Sequence, residues 1–245
     1  MGQSTFTFKQ FSIKQDQCAM KVSTDACIFG AWVAQKIVGS SLPSPRILDI
    51  GAGTGLLSLM AAQLLVNCTI TAIEIDEAAA RQAKENVELS PWRKKIQVLQ
   101  ADIKQYDDQN GFDIIVSNPP FFERDLLANS RAKNLAFHDT SLTLSELLLT
   151  SSRLLNTAGY IFLLLPLSRK NDLVKNCELL QLSITECCYV RPYPHKMISR
   201  ILVKCRRNNG STSSSYKESD LIVQGDPNNY SPQAISLLKD FYLYM

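Results

Sequence analysis

The run Arg46-Ile-Leu-Asp-Ile50 passes without a break into Gly51-Ala-Gly53-Thr-Gly55, and this junction restricts the chain more than any other feature. A short, almost wholly apolar run reads as a buried strand. Glycines at alternate positions let the backbone turn sharply and let a ligand approach it closely. The apolar stretch LLSLMAAQLL that follows is a helix by length and composition. Strand, glycine turn and helix together form the unit that, in open α/β sheets, places a ligand beyond the carboxyl end of the strand. A tight turn without a ligand is the plainer alternative.

The rest of the chain repeats the alternation. TITAIEI (69–75), IQVLQA (96–101), FDIIVSN (112–118) and YIFLLLP (160–166) read as strands, with helices EAAARQAKENVEL and LSELLLTSSRLL between them. Thr143 and Glu146 form a capping box for the latter helix, and Gly159 is placed to end it. Ser168 starts a further helix; ITECCYV and ISRILVKCR follow as paired strands, and Ser231-Pro232 opens a last helix to Tyr244. FTFKQFSIKQ near the N-terminus has the alternation of a short hairpin, and Thr24 stands as N-cap before DACIFGAWVAQ. This order predicts an α/β fold with a doubly wound, Rossmann-like sheet of seven strands, mostly parallel with an antiparallel edge strand, and a short N-terminal hairpin extension. At 245 residues the chain fits one domain, residues 1–40 forming the extension and 41–245 the core.

Composition excludes more than it suggests. The longest strongly apolar run, Tyr160 to Leu167, spans eight residues, far short of the roughly 20 that a membrane span needs. Lys9, Gln10, Lys14 and Asp16 interrupt the N-terminus where a signal peptide would be apolar. A cytoplasmic protein is expected. The seven cysteines are scattered with no C-x-x-C pair, which argues for small buried hydrophobes and against a metal site or a disulfide framework. The net charge of +3 permits nucleic-acid binding without indicating it.

The glycine spacing separates two cofactor classes. Nicotinamide enzymes carry G-x-G-x-x-G/A, but Leu56 occupies the place of the third small residue. Asp49-x-Gly51-x-Gly53-x-Gly55 resembles instead the loop that holds S-adenosylmethionine. Glu74, ending the next strand about 20 residues on, is placed to accept hydrogen bonds from both ribose hydroxyls. Asp102, after IQVLQA, resembles the acidic residue that meets the adenine amine, with a surface turn as its bland alternative. Asp76 reads as a helix cap.

Asn118-Pro119-Pro120-Phe121 ends the fourth core strand. An amine attached to an aromatic base has its lone pair drawn into the ring and is a poor nucleophile. Two acceptors that take its N–H hydrogens favour a pyramidal nitrogen with the lone pair free. The Asn118 carboxamide supplies one acceptor and the Pro119 carbonyl the other, its direction fixed by the stiff prolines. Phe121 offers a stacking face, worth about 1–3 kcal/mol against a nucleobase. No strong general base is required, since the attacking amine is neutral.

Loop, Glu74, Asp102 and Asn-Pro-Pro-Phe together resemble the amino-group methyltransferases of nucleic acids and of protein glutamine, within the class I methyltransferase fold. Residues 6–33, with Met20-Lys-Val-Ser-Thr-Asp25, and the C-terminal Lys239-Asp-Phe-Tyr-Leu243 narrow this. They resemble the bacterial tRNA1(Val) (adenine-37-N6)-methyltransferases over nearly the whole chain. The resemblance implies methylation of N6 of the adenine beside the anticodon, with S-adenosylmethionine as cofactor. The anticodon stem-loop of tRNA(Val) would be the partner, with no metal, no membrane and a monomeric enzyme. It also places Lys21, Thr24 and Asp25 near the cofactor mouth, although hairpin and helix-cap roles suit them equally. A guanine-N2 enzyme for rRNA, a release-factor glutamine enzyme and a noncatalytic RNA-binding module are the alternatives.

RNA contacts could come from Arg124, Arg131 and Lys133, or from Arg191, Lys196 and Arg200. Arg191-Pro-Tyr193-Pro-His195-Lys196 interleaves cations and rings as single-stranded RNA requires, and a solvated turn is its plain alternative. His138 and His195 read as ordinary surface histidines. Arg93-Lys94-Lys95 reads as surface charge at a helix end.

Overall fold

A computed structural model describes residues 4–40, 42–120, 142–208 and 215–245. Parallel strands covered by helices on both faces must be apolar throughout, and the central strands are. Strand β3 (Arg46–Ile50) leads through α2 (Leu56–Leu64) to β4 (Thr69–Glu74), then through α3 (Glu77–Glu88) to β5 (Ile96–Gln100). The chain then returns to the other side of β3 as β6 (Phe112–Ser117), and α4 (Leu144–Leu154) feeds directly into β7 (Leu155–Pro166). After α5 (Lys170–Leu179) come β8 (Leu182–Arg191), β9 (Arg200–Arg207) and β10 (Lys217–Ile222). The sheet order is β10-β8-β9-β7-β6-β3-β4-β5.

The expected α/β class is present, with two differences. The sheet has eight strands, because Lys217–Ile222 adds β10 in parallel beside β8. The antiparallel strand, β9, lies inside the sheet between β7 and β8. β10 escapes sequence pattern because four of its six residues are exposed.

One apolar cluster includes Ile47, Leu59, Ile114, Phe162 and Leu202 with the helix α1 (Thr24–Val38). The other includes Leu48, Ile50, Ile115, Leu163 and Val203 with Leu147 and Leu148 of α4 and Leu173 of α5. Adjacent Cys187 and Cys188 go to opposite clusters, and all seven cysteines are buried.

Local capping differs from expectation in two places. Ser23, not Thr24, caps α1, accepting from the Ala26 N–H at 3.2 Å. The capping box of Thr143 and Glu146 forms as expected. Gly159 does not end α4; that helix stops at Leu154, and Gly159 sits within β7. A Cβ there would lie 2.7 Å from Leu155 Cδ1 and 2.9 Å from the Asp113 carbonyl oxygen. The final helix, α6 (Pro232–Leu238), is capped by Ser231 but stops short of Tyr244.

The two chain ends pack on each other. Strands β1 (Thr5–Thr7) and β2 (Ser12–Lys14) form the N-terminal hairpin, Phe6 opposite Ile13. Phe6 and Phe8 each lie 5.9 Å from the Tyr242 ring. The Lys9 N–H donates to the Phe241 carbonyl at 2.8 Å. Among the described residues no helix is long and apolar enough to cross a membrane.

Gly159→Ala forces its methyl group against backbone and Leu155 in a packed core, so urea unfolding should show a loss of about 1–3 kcal/mol. An unchanged midpoint would show that β7 has room at this bend.

Candidate active site

Chain order reverses between β3 and β6, the switch point at which an open α/β sheet forms a crevice. In the ladders Ile50 of β3 pairs with Ser117 of β6 on one side and with Ile73 of β4 on the other. Glu74 pairs with Gln100 of β5. The residues at or just beyond these positions therefore stand in a row along the carboxyl edge: Asn118, Gly51, Glu74 and the Ala101-Asp102 pair. The Ser117 hydroxyl donates to the Ile50 carbonyl at 2.8 Å, fastening the two strand ends on which Asn118 and Gly51 follow. The register thus brings the two sequence motifs side by side.

The glycine loop is held by backbone it could not reach with any other residue type. Gly51, Gly53 and Gly55 have φ of 73°, 54° and 81°, the left-handed region where a side chain is strained. The N–H groups of Gly51 and Ala52 both donate to the Ile73 carbonyl, at 2.9 and 3.0 Å. The Gly53 N–H donates to Glu74 Oε2 at 2.8 Å, while Glu74 Oε1 accepts from the Asp76 N–H at 3.0 Å. Glu74 therefore shapes the loop as well as facing it. A Cβ built on Gly51 or Gly53 would meet nothing within 4 Å. The loop is an open cradle, and a side chain at either position would project into it.

Asp49 lies fully buried beneath this loop. Its Oδ2 accepts from the Ser58 hydroxyl at 2.7 Å, and its Oδ1 has no partner among the described residues. Burial pushes its pKa up to about 6; the Ser58 hydrogen bonds oppose the shift and the nearby charge of Glu74 adds to it. Asp76 caps α3, accepting from the Ala79 N–H at 2.8 Å. Asp102 is half-buried, with Oδ1 accepting from the Lys104 N–H at 2.9 Å. The bond from the Ala101 N–H to the Glu74 carbonyl, at 3.0 Å, keeps Asp102 beside Glu74.

Asn118 is half-buried, Pro119 buried and Pro120 exposed. Phe121 lies outside the described residues, as do Arg124, Arg131, Lys133 and His138. Thr24 and Asp25 are half-buried and Lys21 is exposed at the start of α1. Asp25 Oδ2 lies 3.3 Å from Arg200 Nε, and Arg200 pairs with Pro166 at the carboxyl end of β7. Since β7 neighbours β6, the start of α1 is held at the same edge as Asn118. Arg191 is engaged too, its Nε 3.5 Å from Asp220. Lys196 and His195 are exposed on the β8–β9 turn, where the His195 ring stacks on Tyr193 with centroids 5.9 Å apart. Lys95 is no loose surface charge: its Nζ donates to the Leu65 carbonyl at the end of α2, at 2.8 Å.

Sequence reasoning missed a pair of amides. Gln82 and Asn86 of α3 are 2% and 1% exposed and bond the N-terminal segment. Their signal was two polar residues in helical register with apolar Ala79 and Ala83.

Residues 33–164 match the family model described as "Methyltransferase small domain". The tRNA1(Val) (adenine(37)-N6)-methyltransferase of Pseudoalteromonas translucida is 38% identical over 242 residues, spanning 99% of this chain and 100% of that one. The protein of the same name from Dyadobacter fermentans is 38% identical, with 97% of each chain covered. This chain belongs to that methyltransferase family. Its fold is shared with a solved "predicted O-methyltransferase" of Agrobacterium tumefaciens, at a TM-score of 0.65 and 19% identity over 88% of this chain and 96% of that one. S-adenosylmethionine is the methyl donor of this methyltransferase. The open cradle over Gly51 and Gly53, with the Glu74 carboxylate at its side, fits that group.

A carboxyl raised from 3.8 to about 6 lowers folded-state stability at neutral pH by about 3 kcal/mol. The sign follows from proton uptake: between about pH 4 and pH 6 the folded state binds the extra proton, so stability falls as pH rises and levels off above that window. Wild-type stability relative to Asp49→Asn, from urea titrations, should therefore drop by up to about 3 kcal/mol between pH 4 and pH 7. A difference that stays constant over this range would rule out the raised carboxyl.

Proposed function

We propose that this enzyme transfers the methyl group of S-adenosylmethionine to N6 of adenine 37, beside the anticodon of tRNA1(Val). The observation that carries the reading is the Ile50–Ser117 pairing, which sets the glycine cradle and Asn118 on adjacent strand ends. The relatives bearing that activity in their names match the chain from end to end.

The bound donor supplies an electrophilic methyl on a sulfonium. The protein's task is to hold a weak nucleophile in line with it. The Asn118 side-chain oxygen and the Pro119 carbonyl accept the two N6 hydrogens and turn the lone pair towards the methyl. With the donor bound, the N6–C bond would form as the donor's C–S bond breaks, and the amine proton would then leave to solvent. Alignment supplies most of the rate. Gly51, Gly53, Gly55 and the buried Asp49 shape the cradle; Glu74 takes the ribose hydroxyls with the lone pairs left over from its two N–H bonds, and Asp102 beside it takes the adenine amine. Pro120 stiffens the turn, and Phe121, next in sequence, stacks on the target base. Lys21 and Thr24 line the mouth from the start of α1.

The tRNA meets the same edge. The base enters beside Asn118, and the anticodon loop, with bases already partly splayed, keeps the unstacking cost modest. Exposed Lys196 and His195, with half-buried Tyr193 stacked on the His195 ring, offer a cation and rings on the β8–β9 turn. Arg191 and Arg200, ion-paired to Asp220 and Asp25, hold the turn and the start of α1 in place. We propose that the chain works as a monomer in the cytoplasm.

Purified protein incubated with total RNA and labelled S-adenosylmethionine should yield N6-methyladenosine on nucleoside analysis. Labelled N2-methylguanosine, or label in protein, would overturn the assignment. Asn118→Ala should lower kcat on the order of 100-fold or more, the scale of losing one positioned polar contact at a reacting group. Its affinity for S-adenosylhomocysteine should stay within about threefold; loss of that affinity in a folded variant would contradict the role given to Asn118.

A further inference from the structure

The N-terminal segment between the hairpin and α1 is laced to α3 by side-chain amides. Asn86 uses its whole carboxamide: Oδ1 accepts from the Lys14 N–H, and Nδ2 donates to the carbonyls of Lys14 and Thr54, each at 2.9 Å. The first two bonds imitate one rung of a β-ladder, and the third reaches the glycine loop itself. One turn earlier, Gln82 Oε1 accepts from the Gln17 N–H at 3.0 Å and its Nε2 donates to Asp16 Oδ1 at 2.7 Å. Gln15, 5% exposed, closes the segment by accepting from the Val22 N–H at 2.8 Å.

The same helix face carries the cradle. A Cβ on Gly55 would stand 3.6 Å from Ala83 Cβ, and α3 follows directly from Glu74 and its cap Asp76. The segment also lies within electrostatic reach of Glu74. The Cys18 thiol is pushed up to about 11, first by burial and then by the charges of Glu74, Asp76 and Asp16.

We infer that Asn86 and Gln82 are positioning residues that join the N-terminal segment, residues 14–22, to the glycine cradle, so that this segment forms a wall of the cofactor site. Donor occupancy and ordering of the segment are then one event. A buried carboxamide with every donor and acceptor used leaves costly orphans when any partner moves. Release of the segment leaves the Asn86 carboxamide without its Lys14 partners and free to turn away from the Thr54 carbonyl, which loosens the loop. The inference rests on the cofactor placement given above.

Hydrogen exchange and calorimetry on the full chain test it with S-adenosylhomocysteine as probe. In the wild type the probe should bind and slow exchange of the Lys14, Gln17 and Val22 amides. No binding by the wild type would sink the cofactor placement itself. Asn86→Asp keeps the acceptor for the Lys14 N–H but loses both donations, so its Kd for the probe should rise at least tenfold, with the added protection at Gln17 and Val22 gone. The KM for S-adenosylmethionine should rise while kcat at saturation stays within about twofold. Gln82→Glu, which loses only the donation to Asp16, serves if Asn86→Asp does not fold. It should raise the Kd severalfold at pH 7.5, and the increase should shrink at acid pH as the new carboxyl regains a proton to donate. A lower apo Tm with probe affinity and amide protection as in the wild type would make the pair simple structural ties and overturn the inference.

Discussion

Three left-handed backbone positions within five residues dictate where the rest of the site must lie. Gly51, Gly53 and Gly55 adopt φ values that a side chain tolerates only with strain, and within the loop the Gly55 N–H closes a turn onto the Ala52 carbonyl at 2.8 Å. The rest of the hold comes from β4. Its last two residues give the loop the Ile73 carbonyl and the Glu74 carboxylate. This carboxyl edge is thus assembled by strand order: β4 grips the loop from one side and β6 delivers Asn118 from the other. Removing the pairing of β3 with either neighbour would separate the groups without touching any of them.

Asp49 shows the same logic in electrostatic form. A buried carboxyl with one oxygen unpartnered among the described residues is a poor contributor to stability. It persists at the floor of the loop, where Ser58 fixes one oxygen and Glu74 raises the cost of ionisation. Perturbed groups of this kind gather at functional sites.

The local units of this fold were legible because they depend on local chemistry. The strand Arg46–Ile50 ends where its apolar run ends, the capping box of Thr143 and Glu146 forms where its spacing puts it, and Asp76 caps α3. What pattern missed depends on contacts far along the chain. β10 is exposed on most positions and is held by pairing with β8 and by the bonds of Ser231 and Gln233 to Ile222 at its end. Gly159 resembles a helix stop, yet close packing against Leu155 and the Asp113 carbonyl explains its presence. Gln82 and Asn86 look like solvated helix positions until the hairpin arrives to cover them. Of the site, Gly51, Gly53, Glu74 and Asn118 could be aligned from spacing alone. The amides behind the cradle could not.

The aromatic hairpin at the start of the chain rests on residues at its very end, with Phe6 and Phe8 against Tyr242 and Lys9 bonded to Phe241. During synthesis the opening strands stay without this cover until Phe241 and Tyr242 have been made, and the segment laced to Gln82 leads straight out of that hairpin. Parallel strands β3 to β6 can pair with one another earlier, although β6 still awaits β7 on its other side. Order of synthesis thus favours the parallel strands first and the aromatic hairpin, with the segment that follows it, afterwards.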